Sequence, residues 1–87
     1  MMEKLILVVT KQGDILLGVE DIGVSREVMR IKKCIRLYIG EEEIKVVGVL
    51  PMLNNISDVY VNKDNIDYYS YDIKEEYINK YIEVIKK

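Results

Sequence analysis

The chain has no histidine, tryptophan or phenylalanine, a single cysteine and a single proline. With no histidine and only Cys34 to offer a thiolate, a Cys/His zinc site is excluded. The Ser–His and Cys–His pairings that activate nucleophiles are excluded for the same reason. One cysteine forbids an internal disulfide, and none of the 5 glycines builds a phosphate-cradling loop. Excess positive charge is missing too. The 13 Lys and Arg against 15 Asp and Glu leave a net charge of −2, so a broad basic nucleic-acid footprint is absent. Any anion site must be a local concentration of Lys and Arg. The longest largely apolar run, residues 46–53, contains Gly48 and Pro51 and falls far short of the ~20 residues that span a bilayer. Residues 5–9 are too short for the apolar core of an export signal. A free thiol without an export signal leads us to expect a cytoplasmic protein (the host cytoplasm if it is viral) with no membrane partner.

Catalysis finds little support in what remains, and neither an enzymatic activity, a metal nor a cofactor is expected. Glu41, Glu42 and Glu43 form an acidic tip rather than a preorganised acid/base pair. Cys34 is flanked by Lys33 and Arg36, which would lower its pKa, but it reads more simply as a small buried hydrophobe.

What is present is one small domain, residues 1–87, of which 49% is hydrophobic. A chain this short buries a modest fraction of its surface, so its core is marginal without a supplement. With disulfides and zinc excluded, the supplement left is oligomerisation, in which subunits bury strand edges or faces against each other.

The hydrophobic periodicity predicts strands over about 4–71 and a helix over about 72–87. Residues 4–11 are apolar on both faces (Leu5, Leu7 and Val9 against Ile6 and Val8), the pattern of a strand covered on both sides. Gln12-Gly13-Asp14 is a turn, and 15–22 return as a strand with Gly18 inside it, where a bend or a close backbone approach is expected. Residues 23–26 turn again. From 29 to 39 Met29, Ile31, Ile35, Leu37 and Ile39 alternate with Arg30, Lys32, Cys34, Arg36 and Tyr38; Lys33 breaks the apolar face, so a bulge is expected there. After the tip at 40–43, residues 44–50 form another strand, limited at its far end by Pro51 to an edge or a bulge. The last 16 residues change period: Ile73, Tyr77, Ile78, Tyr81, Ile82 and Ile85 share one helical face, with Asp72 and Glu75 spaced as a capping box. The expected fold is mainly β, a small, strongly bent barrel of five to six strands with one C-terminal amphipathic helix.

Between Asp58 and Tyr69 a strand runs into the polar turn Asn62-Lys63-Asp64-Asn65, and apolar side chains resume at Ile66. This unit resembles the second signature of Sm-like RNA-binding proteins, a short apolar strand followed by Arg-Gly-Asp/Asn, any residue, then Ile or Val. Asp64-Asn65-Ile66 keeps the end of that pattern, while Asn62 and Lys63 stand where the Arg and Gly would be. Residues 11–19, a glycine turn and a strand with a second glycine, look like the opening of the first signature. The base-holding loop that should follow is not recognisable in 20–28, and Pro51 to Asn55 are interposed before the second signature. The helix comes last rather than first, which is similar to the small Sm-like proteins of tailed phages. The resemblance implies a closed homo-oligomeric ring and a strand–turn–strand unit that frames a base pocket.

Two candidate sites follow. If the Sm geometry holds, the turn of each subunit, with Asn62, Lys63 and Asp64 as its candidate binding residues, points into a central pore, where Asn62 would meet a base edge and Lys63 a phosphate. The same residues are also those of a plain hairpin. The second is the basic ladder Arg30, Lys32 and Arg36, whose same-face spacing of about 7 Å is near that of successive phosphates, with Tyr38 beside it. A solvated face, or salt bridges to Glu41, Glu42 and Glu43, also accounts for it, and the near-neutral net charge makes that the preferred reading. Tyr60, Tyr68, Tyr69 and Tyr71 suit either base stacking or a subunit interface, and the interface is preferred. The expected function is a non-enzymatic, ring-forming binding protein for RNA or single-stranded nucleic acid. Two alternatives stand beside it: a phage-type protein that sequesters a small nucleotide signal of host defence, or a structural ring component of a virion or larger assembly.

Overall fold

A computed structural model describes residues 4–21, 26–48 and 54–86. Residues 23–25 of the turn expected at 23–26, and the strand end at Pro51, lie outside the described residues. Among the described residues six antiparallel strands form one bent sheet, and a single helix follows them. They are β1 (Lys4–Thr10), β2 (Ile15–Asp21), β3 (Val28–Ile39), β4 (Ile44–Val47), β5 (Ser57–Asn62) and β6 (Ile66–Ser70), with α1 (Glu75–Ile85) at the end. A 3₁₀ turn, Lys63–Asn65, joins β5 to β6.

The sheet runs β4-β3-β2-β1-β6, and β5 also pairs with β3. β3 is long enough to serve two partners along one edge: its first half pairs with β5 from Val28 to Cys34, and its second half with β4 from Arg36 to Ile39. β5 and β6 therefore hang on opposite sides of the β1–β2–β3 core, yet only three residues separate them. A link that short forces the sheet to curl until the two meet.

β1 is central, paired with β2 on one side and β6 on the other, and its two apolar faces serve two separate packing layers. On one face, the inner layer, Ile6 and Val8 join Leu16, Met29, Ile31, Cys34 and Val61, with Val59 and Ile66 packed against them. On the other, Leu5 and Leu7 pack with Leu17, Ile35 and Leu37 beneath α1. The helix thus packs on the sheet of its own chain. Its contact stripe is Tyr77, Tyr81, Val84 and Ile85, with Ile73 just before it. That stripe is rotated from the expected one: Ile82 is 38% exposed, and Val84 takes a place on the sheet. The expected capping box does not form either. The helix begins at Glu75 with Lys74 as N-cap and no side-chain capping bond, while the Asp72 N–H donates to Ser70 Oγ.

The bulge expected near Lys33 is present and changes how β3 is read. Register shifts between Ile31 and Cys34 against β5, and between Leu17 and Val19 against β3. Lys33 itself sits at φ +50°. One extra residue reverses the alternation, so Met29, Ile31 and Cys34 face one layer and Ile35 and Leu37 the other. The single apolar face expected from Met29 to Ile39 is therefore two half-faces, and Ile39 is 45% exposed.

Candidate ligand site at the β5–β6 turn

The 3₁₀ turn is held from both sides by main-chain bonds. Lys63 N–H donates to Glu27 O at 2.9 Å, and Lys11 N–H donates to Asn65 O at 2.8 Å. Asn62 precedes the turn in extended conformation (φ −62°, ψ 130°), with its side chain free of any capping bond. Asn62, Lys63 and Asp64 are all exposed. The backbone of the turn is fixed while its side chains are left to solvent, an arrangement suited to presenting them to a ligand.

Two clefts flank the turn. One, of about 380 Å³, is lined by Lys63 together with Glu20, Met29, Ile66, Asp67, Tyr68 and Tyr69. The other, of about 340 Å³, takes Asn62 with Thr10, Asp14, Leu16, Tyr60 and Asn65. Asn62 and Lys63 therefore serve different clefts, and Asp64 lines neither. The first cleft contains residues that the sequence pattern had not singled out. Glu20 was legible in principle: with Leu16 and Gly18 it occupies alternate positions of β2, and it pairs across the sheet with Ile31 of the inner layer. Tyr71 donates its phenolic O–H to Glu20 Oε1. That bond, and then partial burial, push the Tyr71 phenol up to about 12. Tyr71 in turn meets Tyr69 edge-on, ring centroids 6.0 Å apart at 78°, and Lys4 Nζ lies 5.3 Å from the Tyr71 ring.

The basic ladder does not form one face. Arg30 pairs across the sheet with Asp21 and Tyr60, two positions from Lys32, whereas Arg36, beyond the bulge, pairs with Leu16 of the inner layer. Arg30 donates to Asp21 Oδ2 at 2.8 Å and to Asp58 Oδ2 at 3.1 Å, and its guanidinium lies 5.8 Å from the Tyr60 ring centroid. The Asp58 bond leads the causes that raise the Arg30 pKa. Asp58 is held below its usual range first by the Lys33 N–H that donates to it at 3.0 Å, then by Arg30. Arg36 lies 3.5 Å from Asp14, not against the acidic tip, where Glu43 instead meets Lys45 at 3.3 Å.

Cys34 is fully buried, and burial pushes its thiol up to about 12. The neighbouring Lys33 and Arg36 do not activate it, and its place is in the inner layer as a small apolar side chain. No helix among the described residues is long and apolar enough to cross a membrane. Neither a family model nor a curated protein matches this chain.

Proposed function

We propose that the protein is a non-enzymatic, ring-forming module that binds RNA or single-stranded nucleic acid through its β5–β6 turn. The observation that carries this reading is the turn itself: its main chain is clamped on both sides, it stands between two clefts, and it presents Asn62 to one and Lys63 to the other. The adjoining tyrosines supply stacking surface, with Tyr60, Tyr68 and Tyr69 between 54% and 62% exposed. Arg30 and Arg36 enter this reading in a lesser role, because each already faces a carboxylate.

The ring is supported by unpaired strand edges. Among the described residues β5 pairs only with β3, and β6 only with β1. Joining the free β5 edge of one copy to the free β6 edge of the next satisfies both rows of backbone groups. A second reading, sequestration of a small nucleotide, draws on the first cleft: 380 Å³ falls within the range of about 300–1,000 Å³ typical of small-ligand pockets.

Native mass spectrometry of protein purified without nuclease tests the reading, together with anisotropy titration of a labelled single-stranded RNA. A ring carrying RNA is expected. Lys63→Ala is expected to weaken binding and lower the salt slope by about 1. A monomer that binds no oligonucleotide would refute both parts.

A further inference from the structure

The cleft beside β6 carries information about which base it takes. Its lining is mixed: one cation, Lys63, against two carboxylates, Glu20 and Asp67, over an apolar floor of Met29 and Ile66, with Tyr69 at its side. Carboxylates outnumber the cation, so the interior opposes a phosphate and favours groups rich in N–H donors. We propose that this cleft selects guanine, with Glu20 accepting hydrogen bonds from the base edge; the inference rests on the nucleic-acid-binding reading above.

Three features point to guanine rather than to a base of any kind. First, Glu20 is oriented. Its Oε1 accepts from the Tyr71 phenol, a neutral donor that fixes the carboxylate without neutralising it. An ionised carboxylate has about four lone-pair positions, so acceptor capacity remains for a ligand. Second, the wall can stack. Tyr69 is 54% exposed where it lines the cleft, and its edge-on contact with Tyr71 limits its freedom, so less entropy is lost when a base lies on it. Third, the chemistry of the four bases differs on the edge that is free in a single strand. Guanine places N1–H and N2–H side by side, two parallel donors that match the two oxygens of a carboxylate. Adenine and cytosine each set an acceptor nitrogen beside their amino group, and uracil sets one N–H between two carbonyls. Each of those three brings a lone pair against Glu20. Asp67 adds a second acceptor on the same lining, and Lys63, at the turn, is the group left for the backbone phosphate that follows the base.

The test uses the whole chain and four labelled uridine hexamers carrying a single central G, A, C or U. Guanine is expected to bind roughly tenfold or more tightly than the other three, the order of discrimination that a well-made two-bond contact to a base gives. Glu20→Gln keeps the acceptor for Tyr71 but turns one oxygen into an opposing donor, and it should bring the guanine hexamer to the level of the uridine one. A thermal melt confirms that this variant is folded. Asp67→Asn, which weakens only the second acceptor of the lining, should reduce the preference without abolishing it. Four hexamers bound within about twofold of one another, or a Glu20→Gln protein that still prefers guanine, would overturn the base assignment and leave RNA binding standing. Guanosine monophosphate bound without any hexamer would support the cleft and transfer it to a small-nucleotide ligand. If neither is bound, both the base assignment and the binding reading fail.

Discussion

Gly18→Ala tests a close backbone approach between β2 and β3. Gly18 lies on β2 opposite the β3 bulge, between the pairs Leu17↔Ile35 and Val19↔Lys32. A Cβ placed there would stand 2.5 Å from Ile31 Cγ2, 2.8 Å from Lys32 O and 3.1 Å from Cys34 Cα. Carbon contacts normally settle near 3.5–4.0 Å. The Ile31 methyl belongs to a stiff β-branched side chain that is fully buried, and the other two atoms are main chain in a paired strand. None can move away without disturbing the sheet. Overpacking of this kind costs about 1–3 kcal/mol, and main-chain collisions place it at the upper end. Loss of glycine's freedom in the unfolded chain returns about 0.4–1 kcal/mol, which leaves a net destabilisation of about 2 kcal/mol. For a domain of this size that lowers the Tm by roughly 8–16 °C. The measurement is urea unfolding followed by circular dichroism at fixed protein concentration, since assembly would make the midpoint concentration-dependent. Gly13→Ala is the control. Gly13 sits at φ +91° with nothing within 4 Å of the added carbon, so it tests backbone strain alone, expected at about 1–2 kcal/mol. A Gly18→Ala protein within about 0.5 kcal/mol of the parent would refute the close approach, and with it the bulge register.

Further outcomes follow from two buried groups. Tyr81 is 3% exposed and donates to Lys33 O at 2.7 Å, so Tyr81→Phe should cost about 1 kcal/mol and Tyr81→Ala about 3–5 kcal/mol. Burial raises its phenol from 10 to about 12. The folded state thus holds the proton that the unfolded chain gives up, and the parent should lose stability as pH rises from 10 through 12, a loss reduced in Tyr81→Phe; equal alkaline profiles would refute this. Cys34, fully buried and with its thiol pushed up to about 12, should resist a thiol reagent at pH 8 in the native protein and react at once in denaturant. Rapid native labelling would contradict its place in the inner layer.

Much of the architecture is legible in local pattern. Apolar residues on both faces of 4–11 announce a central strand, and β1 is one, paired on both sides. The change of period after residue 72 announces a helix, and one follows from Glu75. The glycine in β2 and the lysine that breaks β3 announce an irregularity, and Gly18 and Lys33 meet at it. The consequence was not legible. A reader of the sequence extends one alternation from Met29 to Ile39, which places Arg30 and Arg36 on one ladder. The bulge separates them, with Arg30 against Asp21 and Asp58 and Arg36 against Asp14. The cleft beside β6 was half-visible: Lys63 belongs to the turn that the pattern singles out, whereas Glu20, Met29 and Asp67 reach it from β2, β3 and β6.

Composition and periodicity alone determined that this is a small β domain ending in a helix, because each strand and turn depends on side chains within a few residues of one another. Only the tertiary structure decided which way β3 faces. Lys33 is held at its unusual φ by Asp58, 25 residues on, which accepts its N–H, and by Tyr81, 48 residues on, which donates to its carbonyl. A residue in that conformation is unfavourable by itself and persists only where the surroundings over-determine it. Those surroundings come from β5 and α1, so the split of the basic residues and the two packing layers exist only once strand, bulge and helix have met.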